Sequence, residues 1–163
     1  MDRGSPESRN SSQTSATPVN ALTRLSAVKM AAMIRDREVS VAEFVDAHYR
    51  EIRRINGKLN AFVSLDEERA RRQATVADDA IASNASVGPL HGVPITIKSS
   101  IDVAGLVCEA GTRLRQGYVA NTDAPLVSRL KAAGAIVLGN TTVPEFLMAW
   151  ETDSALYGRT NSP

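Results

Sequence analysis

Residues 88–105 read GPLHGVPITIKSSIDVAG, and the six residues VPITIK at 93–98 decide the fold class. Val93, Ile95, Thr96 and Ile97 are β-branched, and their stiff side chains favour a pleated, extended backbone over a helix. A short apolar run between turn residues predicts a buried strand. Pro94 has no N–H to give to a ladder, so it marks the start of the strand or an edge. The stretch before it, SNASVGPLHG, is loop chemistry.

A second apolar run, AIVLG at 135–139, follows a predicted helix. Asp123 is placed to cap that helix, with Pro125 in its first turn and Gly134 just past its end. A helix that passes directly into a continuous apolar strand points to an α/β fold, here a mixed central sheet covered by helices. AFVSL at 61–65 supplies a third strand. Upstream, Leu22, Leu25, Val28, Ala32 and Met33 fall near helical spacing and predict a helix over 26–37. Ser40 and Glu43 form a capping-box pair that opens the next helix. Phe44, Ala47, His48, Ile52 and Ile55 line its inner face, and Asn56-Gly57 is placed to end it. DEERARRQATVADDAIA, 66–82, is a helix with acidic residues in its first turn, where the dipole favours them. Residues 99–122 are expected to be irregular, 144–148 a short helix, and 152–163 a loop.

Composition excludes several classes. The chain has 163 residues, enough for one domain, with 43% hydrophobic and 23% charged residues. A net charge of +1 and 4% aromatics recommend neither a nucleic-acid partner nor a membrane surface. No apolar run is long enough to span a bilayer. A single cysteine, Cys108, leaves no internal disulfide and implies a reducing, cytoplasmic setting. Ten of the first 20 residues are Ser, Thr, Asn or Gln, so residues 1–20 are expected to be a disordered polar tail before a domain at 21–163.

The chemistry-bearing candidates are few. Lys98 closes the 93–98 strand in a chain with 15 Arg and four Lys. Arg does not deprotonate and cannot act as a base, whereas a desolvated Lys can. Against that stands a solvated lysine at a strand end. Ser99 and Ser100 invite a Ser-Lys nucleophile reading. Neighbours on a strand point to opposite faces, so backbone hydrogen bonding by their hydroxyls in the following turn is the competing role. His48 and His91 lack metal-ligand spacing, and no glycine-rich phosphate motif is present. Neither a metal nor a cofactor is implied. Cys108 has no nearby base to activate it. Glu109 and Glu145 are expected to be exposed loop carboxylates.

GPLHGVPITIKSSIDVAG resembles the first conserved block of the amidase-signature family. The similarity continues through AGT at 110–112, DAPLVSRLKAAGAIVLGNTTVPEF at 123–146 and ETDSALYGRTNSP at 151–163. The paired helices at 26–55 and LNAFVSL also look like that family's amino-terminal region. The resemblance implies an amide-bond hydrolase with a Ser–cis-Ser–Lys triad, in which Lys98 matches the catalytic lysine. It implies a small-molecule amide as substrate, and the residue after the lysine, often acidic in the family, is Ser99 here. In the family the Gly-Arg-Thr-Asn segment leads into a Gly/Ser-rich loop carrying both serines and the oxyanion donors. With Pro163 as its last residue, the chain is expected to be the front portion of that fold, inactive and marginally folded alone. Two other readings stay open: a non-catalytic binding or regulatory fragment, and an amidotransferase subunit fragment working with a partner on a charged tRNA. The residues leave the oligomeric state open.

Overall fold

The computed structural model describes residues 19–163. These run as α1 (Val19–Leu22), α2 (Ala27–Arg35), α3 (Val41–Leu59), β1 (Phe62–Leu65), α4 (Glu67–Ala82), β2 (Pro94–Lys98), α5 (Pro125–Ala132), β3 (Ile136–Thr141), β4 (Asp153–Ser154) and β5 (Gly158–Arg159). The tail expected over 1–20 lies outside the described residues, apart from positions 19 and 20, which open α1.

The helices start where their caps place them. Ser26 Oγ accepts from Lys29 N at the head of α2. Val28 is 81% exposed, however, and the buried stripe of α2 is Met30, Met33 and Ile34. The capping box of Ser40 and Glu43 is formed at α3. A second acceptor comes from α4, whose Asp78 carboxylate takes the N–H groups of Val41 and Ala42 at 2.7 and 3.1 Å. Each otherwise orphaned donor is thereby satisfied. Asn56-Gly57 does not end α3. The helix runs on to Leu59 and stops at Asn60, which takes the left-handed conformation at φ 52°. Asn56 instead turns its side-chain oxygen to the N–H groups of Ala61 and Phe62, steering the chain into β1.

The sheet order is β1-β3-β2, antiparallel between β1 and β3 and parallel between β3 and β2. A parallel pair needs a crossover, and α5 supplies it. β3 is the central strand and is buried along five of its six residues. Its side chains alternate between two cores. Ile136 and Leu138 join Phe44, Val45, Tyr49, Ala70 and Ala74 under α3 and α4. Val137 joins Ile97, Val103, Leu106 and Val127 under α5. Tyr49 is fully buried, and its hydroxyl donates to the Leu138 carbonyl at 2.8 Å. Gly139 lets β1 approach closely, since a Cβ there would sit 2.2 Å from the Ser64 carbonyl oxygen.

Four further expectations need correction. β2 is buried only in part, with Thr96 and Lys98 exposed, because it pairs on one side alone. Asp123 does not cap α5, whose N-cap is Ala124. Its carboxylate accepts from Ala104 N and pairs with Lys131 Nζ at 2.7 Å, tying the preceding loop to the helix. Residues 145–147 form one 3-10 turn broken at Phe146 (φ 47°) rather than a helix. The end of the chain is a small β4-β5 hairpin, docked on α3 where Thr160 Oγ1 donates to the Asn60 carbonyl and Asn161 N to the Leu59 carbonyl.

Candidate functional site

Lys98 is the last residue of β2, at the carboxyl end of the strand, paired in register with Thr141 at the end of β3. In open α/β sheets that end is where ligands are held. Its side chain is exposed, and among the described residues it has neither a hydrogen bond nor an ion pair. The chain then turns on Ser99, which is 0% exposed. Ser99 N donates to the Thr141 carbonyl at 2.9 Å, and the Ser99 carbonyl accepts from Ala110 N at 3.0 Å. The backbone immediately after Lys98 is thus clamped between the end of β3 and the 110–112 loop.

The hydroxyls of Ser99 and Ser100 do not bond to the local backbone. Both are buried without a hydrogen-bond partner among the described residues, as are both amide atoms of Asn140, fully buried beside Ile97. Three buried polar side chains therefore gather where β2 and β3 end beside Lys98. In the sequence Asn140 is a polar residue just after the apolar run 135–139, within the 123–146 block that resembles the family.

The 110–112 loop is held from its other side too. Ala110 and Gly111 both have positive φ, 49° and 70°. The Ala110 carbonyl accepts from Phe146 N at 2.9 Å. Ser154 Oγ donates to the Gly111 carbonyl at 2.9 Å, and Thr112 Oγ1 donates to Glu145 Oε1 at 2.5 Å. Glu145 is exposed, as expected, but Glu109 is buried and accepts from Gly117 N at 2.6 Å. Thr112 and Ser154 lie in segments that resemble the family, AGT at 110–112 and ETDSALYGRTNSP at 151–163, but nothing in the residues themselves says that they bond.

The remaining candidates are engaged elsewhere. His48 Nδ1 pairs with the Phe44 carbonyl and His91 Nε2 with the Ala77 carbonyl. No group of three His, Cys, Asp or Glu able to hold a metal occurs among the described residues. Burial pushes the Cys108 thiol up to about 12, with the neighbouring Asp102 carboxylate adding to it, so the thiolate is suppressed. An open groove of about 330 Å³, lined by Arg72, Val76, Ala77, His91, Lys131 and Ile136, sits at the start of β3, the opposite end from Lys98. No helix among the described residues is long and apolar enough to cross a membrane.

The family model described as Amidase matches residues 43–163. The chain is 42% identical over 146 residues to an indoleacetamide hydrolase of Bradyrhizobium diazoefficiens, covering 90% of this chain and 28% of that protein. It is 33% identical over 147 residues to one of the subunits of the glutamyl-tRNA(Gln) amidotransferase of Streptomyces avermitilis, covering 90% and 29%. Among solved structures, a fatty acid amide hydrolase superposes with a TM-score of 0.84 at 27% identity, over 91% of this chain and 26% of that one. The chain therefore spans under a third of the length of these relatives.

Proposed function

The chain belongs to the Amidase family, and from that premise we propose that it serves an amide-bond hydrolase acting on a small-molecule amide, with Lys98 as the proton-accepting residue. The observation that carries this reading is the position of Lys98 at the open carboxyl end of β2, inside the block that the family shares. A lysine ordinarily titrates near 10.4, so acting as a base near neutral pH needs a desolvated, neutral amine, which the exposed Lys98 gains only when the Gly/Ser-rich loop covers it. In the triad that the resemblance implies, a bridging serine passes the proton of the nucleophilic serine to this amine. The resulting alkoxide attacks the amide carbon, and backbone N–H groups of a Gly/Ser-rich loop hold the oxyanion. Ser99 and Ser100 do not fill the serine roles, because Ser99 is sealed under the turn and neither hydroxyl is bonded to Lys98.

The indoleacetamide hydrolase likeness makes a primary arylacetamide the first substrate to test. The measurement is ammonia release from indole-3-acetamide, by a polypeptide that joins these residues to the family's Gly/Ser-rich loop. Adding hydroxylamine should divert the acyl group to a hydroxamate, since the covalent intermediate partitions between the two nucleophiles. Turnover of a panel of small amides at the buffer rate would remove the hydrolase reading. A second reading, a glutaminase-type subunit working with a partner on charged tRNA, draws on the 33% likeness to the amidotransferase. It is favoured if glutamine is hydrolysed and the arylacetamide is not.

A further inference from the structure

The backbone after Lys98 is held by groups that lie far from it in sequence. Ser99 accepts from Ala110 N, and Ala110 in turn accepts from Phe146 N. Flanking that relay, Thr112 Oγ1 donates to Glu145 Oε1, and Ser154 Oγ donates to the Gly111 carbonyl while accepting from Leu156 N at 3.1 Å. Thr112 is 1% and Ser154 4% exposed; the Ser154 bond is buried, and the Thr112 bond runs from a buried hydroxyl to a carboxylate at the surface. There is no slack in the register. A Cβ on Gly111 would stand 2.6 Å from the Val143 carbonyl oxygen and 3.2 Å from Glu145 N. Ala110, an ordinary L-residue, sits at φ 49°, a conformation that persists only where the surroundings hold it.

We propose that Thr112, Glu145 and Ser154 form a latch that fixes the Ser99–Ala110 contact and so sets where Lys98 presents its amine; they are positioning residues, acting through Ser99, for the hydrolase reading above. Apolar packing is non-directional, whereas the latch sets two directional side-chain hydrogen bonds, on Gly111 and Thr112, beside the backbone bond from Phe146 N to Ala110. The two strands of chain that the latch joins, 110–112 and 143–154, both lie at the sheet end where Lys98 sits.

The test reads Lys98 itself. These 163 residues hold four lysines, whose ¹³Cε signals in the polypeptide carrying the Gly/Ser-rich loop are assigned by substituting each in turn. Thr112→Val should move the Lys98 signal while leaving Lys29, Lys58 and Lys131 in place, and Thr112→Ser should restore it. Glu145→Ala alters an exposed side chain, leaves the two cores intact, and should act in the same direction. Amide exchange at Ala110 and Phe146 should speed roughly five- to tenfold, the scale of one lost hydrogen bond, with Tyr49 unchanged. A Lys98 signal that stays put in both Thr112→Val and Glu145→Ala overturns the latch, and so does a shift shared by all four lysines. In the active polypeptide, Thr112→Val should lower kcat with KM little changed, and Thr112→Ser should recover it. Absent amide turnover in the wild-type sequence would remove the hydrolase reading and leave the NMR result to decide the latch on its own.

Discussion

The helical layer and the Lys98 end of the sheet are held together by different physics. Under α3 and α4, contact is apolar: Phe44, Val45, Tyr49, Ala70, Ala74, Ile136 and Leu138 are buried against one another. Around Lys98 the ties are polar and directional, from Ser99 to Ala110, Ala110 to Phe146, Thr112 to Glu145 and Ser154 to Gly111. Burial is non-directional and scales with area, so it stabilises without fixing angles. Hydrogen bonds add about 1 kcal/mol each and fix orientation. The difference teaches that stability is drawn mainly from the first region and geometry from the second, and substitutions should separate the two.

The largest effect is expected at the centre of the apolar region. Leu138→Ala should cost about 2–5 kcal/mol, read as a fall in denaturation midpoint at constant slope. A loss below about 1 kcal/mol would mean that the sheet is not sealed by α3 and α4. Next comes Gly139→Ala. The added methyl meets the Ser64 carbonyl at 2.2 Å, and overpacking of this kind costs roughly 1–3 kcal/mol. Amide exchange should show the β1–β3 pair opening first, with β2–β3 following.

Asp123 bridges the comparison, since it ties a loop to α5 by charge. Burial works to raise its carboxyl, but the Lys131 and Ala104 bonds outweigh that and hold it below the usual carboxylate range. A depressed carboxyl contributes stability above its unfolded value of about 3.9, and that stability is lost as pH falls through the folded value. Asp123→Asn should therefore cost roughly 1 kcal/mol at neutral pH and flatten the loss of stability below about pH 4. Equal slopes in wild type and variant would refute the pairing. The smallest effect concerns Cys108. Burial keeps its thiol protonated, so a thiol reagent at about pH 8 should label it at least about tenfold more slowly than in the urea-unfolded chain.

How far each region is legible in the sequence follows from the same contrast. The apolar region announces itself in periodicity. VPITIK, AIVLG and AFVSL all contain strands, and the capping box at Ser40 opens α3. Ends are less legible, because Asn56 and Asp123 have two polar roles open to them and tertiary partners choose. In the irregular region beyond Lys98 the resemblance to the family is legible, but the contacts are not. Thr112 and Ser154 belong to separate loops, and only the folded sheet end brings both hydroxyls to one turn. The burial of Glu109 escapes the sequence for the same reason, since its partner is a backbone N–H in a loop.

The most direct test of the central claim is the pair Lys98→Ala and Lys98→Arg, assayed for amide hydrolysis in the polypeptide that carries the Gly/Ser-rich loop. In the 163-residue chain Lys98 is exposed at a strand end, so there neither change should lower the melting temperature appreciably. Both should lose activity by roughly 10²–10⁴-fold, the usual worth of a positioned general base. Arginine keeps the positive charge and the reach but does not give up its proton, so it should rescue nothing. Near-normal turnover in Lys98→Arg would contradict the account, because it would leave charge, and not proton acceptance, as all that this position supplies.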